Sequence, residues 1–158
     1  MSFIDGSETS TTIIRSANIN DLEDILHMEE QFGADAYTAL QFKQYMKTAK
    51  VFLVLKYEEK TIGYAILHYR KNSSVGMLYS ICIDKDFQGK AFGRYLLFNV
   101  EAYCKHHGLK KIKIECSENN EKAMRFYENL GYKTIGLAPD YYADGSSAFL
   151  MSKCISRS

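Results

Sequence analysis

The stretch VGMLYSICIDKDFQGKAFGRYLLFNVEAYCKHHGLKKIKIECS, residues 75–117, decides the fold class. Val75–Ile83 is apolar and β-rich and reads as a strand. Gly89–His107 carries Phe92, Leu96, Val100 and Tyr103 at helical spacing, with Gly108 as its stop, and reads as a helix. Lys110–Ser117 reads as a second strand. Two sheet strands joined by a helix run parallel, because a parallel return needs a crossover of a dozen or more residues. That crossover is right-handed by the usual rule.

Everything around this unit is built from shorter connections. Upstream, Thr11–Arg15 suits a first strand, and Asn20 with Glu23 reads as a capping pair. The helix so opened carries Leu22, Ile25, Leu26 and Phe32, with Glu29 interrupting the apolar stripe. Gly33–Tyr37 is a small-residue connector. Thr38 with Gln41 caps a second helix whose inner face is Phe42, Tyr45, Met46 and Ala49. Val51–Glu58 turns through Glu59-Lys60 into Thr61–Arg70, and Lys71–Ser74 is a polar loop. Connections this short make neighbouring strands antiparallel. Downstream, a helix over Asn120–Leu130 ends at Gly131, and strands follow at Tyr132–Leu137 and Ala148–Lys153. The expected fold is α+β: a mixed, mostly antiparallel central sheet of about seven strands with about four helices.

Composition sets the outer limits. A chain of 158 residues is expected to form one domain, here 11–158, preceded by a polar, flexible tail at 1–10. With 20 Lys+Arg against 19 Asp+Glu the net charge is +1, so there is no global field to attract nucleic acid. No apolar run reaches the ~18 residues of a membrane span. Cys82, Cys104, Cys116 and Cys154 lie far apart without zinc spacing, so reduced thiols, a cytoplasmic location and no metal are expected. The chain is rich in aromatics, 12 Tyr and 9 Phe, yet has no Trp.

Two stretches carry chemistry. In Asp84–Arg94 a strand passes into a helix through glycines, with Lys90 and Arg94 alongside. Unpaired N–H groups and the helix dipole at such a junction suit a phosphate or pyrophosphate, although a tight turn with surface charges has the same composition. It is neither a Walker loop nor a dinucleotide fingerprint. In the second stretch, strand parity places Ile112, Ile114 and Cys116 on one face and Glu115 on the other. There Glu115 is either solvated or turned into a cleft. Tyr127 lies on the apolar stripe of its helix with Ala123, Phe126 and Leu130, which by itself suits a core aromatic.

Taken together, these stretches resemble the GNAT superfamily of acetyl-CoA-dependent N-acetyltransferases, from about Thr11 to Lys153. The family's pyrophosphate pattern Q/R-x-x-G-x-G/A reads here Gln88-Gly89-Lys90-Ala91-Phe92-Gly93. Ala91 replaces the first glycine, which a helical residue tolerates because it needs no positive φ. The later pattern N-x-x-A-x-x-x-Y-x-x-x-G-[FY] is present as Asn120, Ala123, Tyr127 and Gly131-Tyr132. Glu115 and the segment Asp140–Gly145 are similar to the RimI-like branch, which acetylates ribosomal-protein N-termini. That branch often carries Pro-Trp where Ala36-Tyr37 stands here.

The resemblance implies an acetyl-CoA-dependent enzyme acting through a ternary complex, with a peptide N-terminal α-amino group as acceptor. Alternatives are a small amine (polyamine, amino acid or amino sugar) or a non-catalytic acyl-CoA-binding module. It implies Glu115 as general base and Tyr127 as general acid. Coenzyme contacts would come from Ile81, Cys82, Ile83, Gln88, Gly89, Lys90, Ala91, Phe92, Gly93, Arg94, Asn120 and Tyr127. Phe32, Tyr37, Tyr141 and Tyr142 are candidate walls of the acceptor site and Asp140 and Asp144 candidate anchors for a cationic amine, with loop packing or surface charge as the alternative reading of each. The active form is expected to be a monomer or homodimer.

Overall fold

The computed structural model describes residues 12–156. The expected tail at 1–10, and Thr11 at the start of the first expected strand, lie outside the described residues. The strands are β1 (Thr12–Ser16), β2 (Val51–Tyr57), β3 (Lys60–His68), β4 (Val75–Ile83), β5 (Lys111–Ser117), β6 (Lys133–Ala138) and β7 (Ala148–Cys154). The helices are α1 (Leu22–Glu29), α2 (Ala39–Thr48), α3 (Phe92–His106) and α4 (Glu121–Asn129). The seven strands hydrogen-bond in the order β1-β2-β3-β4-β5-β7-β6. β4 and β5 pair in parallel, Val75 opposite Lys111 through Leu78 opposite Ile114. The β1/β2, β2/β3, β5/β7 and β6/β7 pairs are antiparallel. The mixed α+β sheet expected from residues 75–117 is therefore the one observed.

The chain forms two compact units. One gathers the described residues up to Leu67 together with Ser80–Val100. Its core is Ile25, Met28, Phe42, Phe52, Val54, Tyr64, Ile66 and Cys82, against which Tyr37, Tyr45 and Met46 pack. Phe42 sits edge-on to Tyr64 with centroids 5.5 Å apart, a favoured geometry for aromatic pairs. The other unit comprises His68–Tyr79 and the chain from Glu101 onward. There Ile112, Ile114 and Cys116 of β5 are buried, while Lys113 and Glu115 are half-buried, as strand parity requires. The buried Tyr132 hydroxyl donates to Glu101 at 2.8 Å, and Lys153 Nζ binds the same carboxylate at 3.0 Å.

Two local expectations are corrected. The cap of the first helix is Asn18, which opens a 3₁₀ turn over Ile19–Asp21 that runs into α1, and not Asn20. Asp21 accepts the Asn18 N–H at 2.8 Å and is held by Arg15 at 2.8 and 2.9 Å and by Thr61 Oγ1 at 2.8 Å. Burial pushes the Asp21 carboxyl up, but these donors bring it below the ordinary range. This long-range anchoring selects the earlier of two overlapping capping registers. The second correction concerns α3, which begins at Phe92 and not at Gly89. Ala91 is not helical: its φ is +68°, next to Gly89 at +78°. By contrast, Thr38 and Gln41 form the expected reciprocal cap on α2.

Candidate active site

In the first unit, β4 runs out at Ile83 into a turn built by its own side chains. Asp84 caps a 3₁₀ turn over Lys85–Phe87 by accepting the Asp86 N–H at 2.9 Å. The Asp84 N–H is held by Ile62 C=O at 2.8 Å. Gln88 Nε2 folds back to Ile83 C=O at 2.9 Å, fixing the first residue of the glycine pattern to the strand end. Gly89 and Ala91 then take left-handed conformations, and an added Cβ at Gly89 would meet nothing within 4 Å. The α3 ladder starts with Tyr95 N–H on Ala91 C=O at 3.1 Å, so the N–H groups of Gly93 and Arg94 precede it. Gly89, Lys90, Ala91 and Arg94 are exposed; Phe92 is buried against Tyr57 and Phe87. An open backbone turn, a helix N-terminus and two exposed cations form a donor set that fits a pyrophosphate.

Ile81, Cys82 and Ile83 close β4 in the same unit. Cys82 is packed: its Sγ accepts from Gln31 Nε2 at 3.2 Å, and burial, with Glu29 and Asp84 adding, pushes the thiol up to about 12. Burial also pushes Cys116 up to about 11. Neither is a ready thiolate nucleophile.

In the second unit, the end of β5 is organised by side chains. The Tyr141 hydroxyl donates to Glu115 Oε1 at 2.5 Å. The loop carrying Tyr141 is strapped to β5 by a reciprocal pair: Glu118 N–H to Ser147 C=O at 2.9 Å, and Ser147 N–H to Glu118 Oε2 at 2.6 Å. Tyr142 packs edge-on to Tyr141 at 4.9 Å. Asp144 is occupied within this loop by the Ser146 N–H and Oγ, which hold its carboxyl below the ordinary range. Asp140 is exposed, with φ +53°. Asn120 caps α4, its Oδ1 accepting the Ala123 N–H at 3.0 Å, so a coenzyme contact would fall to its amide nitrogen. Tyr127 is buried, 5.2 Å from the Phe126 ring and 5.8 Å from Tyr132.

Within the second unit, then, Tyr141 is brought to Glu115, with Tyr142 packed on the Tyr141 ring. Sequence reasoning assigned both tyrosines to the acceptor wall and missed the link to Glu115, which spans 26 residues. In the first unit, Phe32 is exposed in the 3₁₀ segment Glu30–Asp35. Tyr37 turns inward, edge-on to Phe42 at 5.6 Å and Tyr45 at 5.3 Å.

The chain thus carries a glycine turn after β4 and a tyrosine-held glutamate on β5, two strands paired in parallel. A family model described as "Acetyltransferase (GNAT) family" matches residues 19–132, and the chain belongs to that family of N-acetyltransferases. An uncharacterized N-acetyltransferase of Methanocaldococcus jannaschii is 29% identical over 143 residues, spanning 89% of this chain and 90% of its own length. An N-alpha-acetyltransferase of Sulfurisphaera tokodaii is 23% identical over 164 residues, spanning 96% and 98%. The ribosomal protein bS18-alanine N-acetyltransferase of Escherichia coli is 25% identical over 146 residues, spanning 90% and 97%. The crystal structure of the E. coli ribosomal-protein-S18-alanine enzyme matches with a TM-score of 0.83, at 25% identity, over 93% of this chain and 96% of that one. No helix among the described residues is long and apolar enough to cross a membrane.

Proposed function

We propose that residues 11–158 act as a single domain that acetylates the N-terminal α-amino group of a peptide or protein from acetyl-CoA. The observation that carries this reading is the Glu115 carboxylate, half-buried on β5 and held by the Tyr141 hydroxyl at 2.5 Å. Two relatives matched along nearly their whole length are an N-alpha-acetyltransferase and a ribosomal-protein alanine N-acetyltransferase, which supports a peptide acceptor.

An amine attacks only after losing its proton. At pH 7 this costs about 1 kcal/mol for an α-amino group and over ~4 kcal/mol for lysine, from reference pKa values near 8 and 10.4. A single carboxylate meets the smaller demand more readily, so the α-amino group is the better match to Glu115. Glu115 takes up the amine proton. Its Oε1 is oriented by Tyr141, which leaves the other oxygen for the proton.

Acetyl-CoA supplies the acetyl thioester. The turn Gln88–Arg94 would hold its pyrophosphate through backbone N–H groups and the side chains of Lys90 and Arg94. Backbone N–H groups near Ile81–Ile83 would be the donors for the thioester carbonyl oxygen as it gains negative charge. Tyr127 would give a proton to the departing thiolate, about 2 kcal/mol uphill on reference values. The ammonium gives up two protons in all, one to Glu115 before attack and one from nitrogen after it. One restores the proton that Tyr127 would give to sulfur and the other leaves to solvent. Direct attack by the amine needs no covalent enzyme intermediate.

A screen with acetyl-CoA tests the acceptor. Short peptides beginning with Ala, Ser or Met are compared with a polyamine, an amino acid and an amino sugar. Saturable turnover of the peptides, lost when their N-terminus is blocked, is expected. Turnover confined to the small amines would overturn the peptide reading, and no turnover with stoichiometric acetyl-CoA binding would make the chain a binding module.

A further inference from the structure

Glu29 stands on the inward face of α1, where the stripe of Leu22 and Ile25 calls for another apolar residue. It is 3% exposed. A carboxylate in such a place is costly unless its oxygens are satisfied, and a leucine would fill the volume without that cost. Burial pushes the Glu29 carboxyl above the usual range, restrained by its hydrogen bonds to Tyr64 and Tyr37.

Those bonds show what a leucine could not do. Glu29 Oε1 accepts from the hydroxyl of Tyr64, a fully buried residue of β3, and that hydroxyl also meets Ser80 Oγ of β4 at 3.1 Å. Glu29 Oε2 accepts the backbone N–H of Tyr37 at 2.8 Å. The two oxygens therefore tie the connector between α1 and α2 to the central strands.

At its start the connector is also tied by Gln31 Nε2 to Cys82 Sγ at 3.2 Å, and at its end the Tyr37 ring packs on Phe42 and Tyr45. Residues 30–35 are exposed, and the chain reverses at Gly33, whose φ is +56°. It then runs extended at Ala36 into the Thr38 cap. A segment this exposed takes its position from its hydrogen bonds.

We propose that Glu29 is a positioning residue: by gripping the Tyr37 backbone it sets the height of the α1–α2 connector, and through it the affinity for the peptide acceptor. This rests on the reading that Phe32 and Tyr37 wall the acceptor site.

The test measures steady-state kinetics with a short alanine-initiated peptide and acetyl-CoA. Glu29→Gln keeps size but replaces the charged acceptor of the Tyr37 N–H with a weaker neutral one. It is expected to raise the peptide KM about tenfold, with kcat and the acetyl-CoA KM within twofold. That split marks lost acceptor binding and not general damage. Tyr64→Phe leaves the grip on Tyr37 in place and is expected to raise the peptide KM less than threefold. If it matches Glu29→Gln, the effect travels through the core and the proposal falls. Should Glu29→Gln fail to fold, Glu29→Asp, withdrawn by one methylene, is expected to show the same selective rise. Tyr37→Ala separates the two readings. If it raises the peptide KM while the Glu29 variants do not, only the positioning role is overturned. If none of them moves the peptide KM, the acceptor wall is misplaced and the proposal falls with it.

Discussion

The turn after β4 and the turn after β5 both pass a strand into a helix, yet they are made of opposite materials. The first presents backbone: Gln88 folds back on Ile83, Gly89 and Ala91 adopt positive φ, and α3 offers its first N–H groups. The second presents side chains: Glu115 held by Tyr141, Asn120 spent on the α4 cap, and Tyr127 packed beside Tyr132. A backbone site tolerates most side-chain changes and is vulnerable to charge and to φ. A side-chain site can be emptied by deleting one atom while its surroundings stay intact.

The largest effect should come from such a single-atom deletion. Tyr127→Phe removes the proposed proton donor and is expected to lower kcat by 10²-fold or more, as general acids typically contribute. The acetyl-CoA dissociation constant, read by calorimetry, should stay within twofold. Unchanged turnover would take Tyr127 out of the mechanism and leave it as a core ring.

The backbone region should fail in the converse way. Gly93→Asp sets a negative charge in the first turn of α3, where the proposal puts a pyrophosphate. Replacing a favourable dipole with repulsion is expected to cost about 3 kcal/mol, or roughly 100-fold in acetyl-CoA affinity. At saturating acetyl-CoA, kcat should remain within a few-fold of the parent. Unaltered affinity would mean that the turn does not hold the coenzyme.

The same contrast explains how much could be read from the sequence. β4 begins and ends where its composition says, and Thr38 with Gln41 caps α2 as its spacing says, because both depend on neighbours along the chain. On β5, parity alone separates Glu115 from the buried Ile114 and Cys116. What the sequence hides is long-range. Asn18 prevails over Asn20 because Asp21 is gripped by Arg15 and Thr61, the latter 40 residues away. Tyr141 reaches Glu115 only because the Glu118–Ser147 pair straps its loop to β5. Glu29 did leave a trace, as a charge on an apolar stripe, but its partners Tyr37 and Tyr64 have no local signature.

Ala91 offers the smallest effect and the sharpest comparison. The helical pattern of Phe92, Leu96 and Val100 made residues 89–91 look like the helix's own first turn, where alanine is at ease. Instead Ala91 holds a φ of +68°, a conformation that costs a residue with a Cβ about 1–2 kcal/mol. Glycine avoids that cost but loses about 0.5–1 kcal/mol more to unfolded-chain entropy. Ala91→Gly is therefore expected to stabilise the protein by about 0.5–1 kcal/mol, seen as a higher denaturation midpoint at constant m-value. Ala123, in the first turn of α4, has an ordinary helical setting. The same change there, Ala123→Gly, should destabilise by about 0.5–1 kcal/mol. Opposite signs for one substitution in the two regions would establish that the first is governed by backbone conformation. A loss at both positions would show that Ala91 is unstrained, and that its methyl group is no obstacle to the turn's geometry.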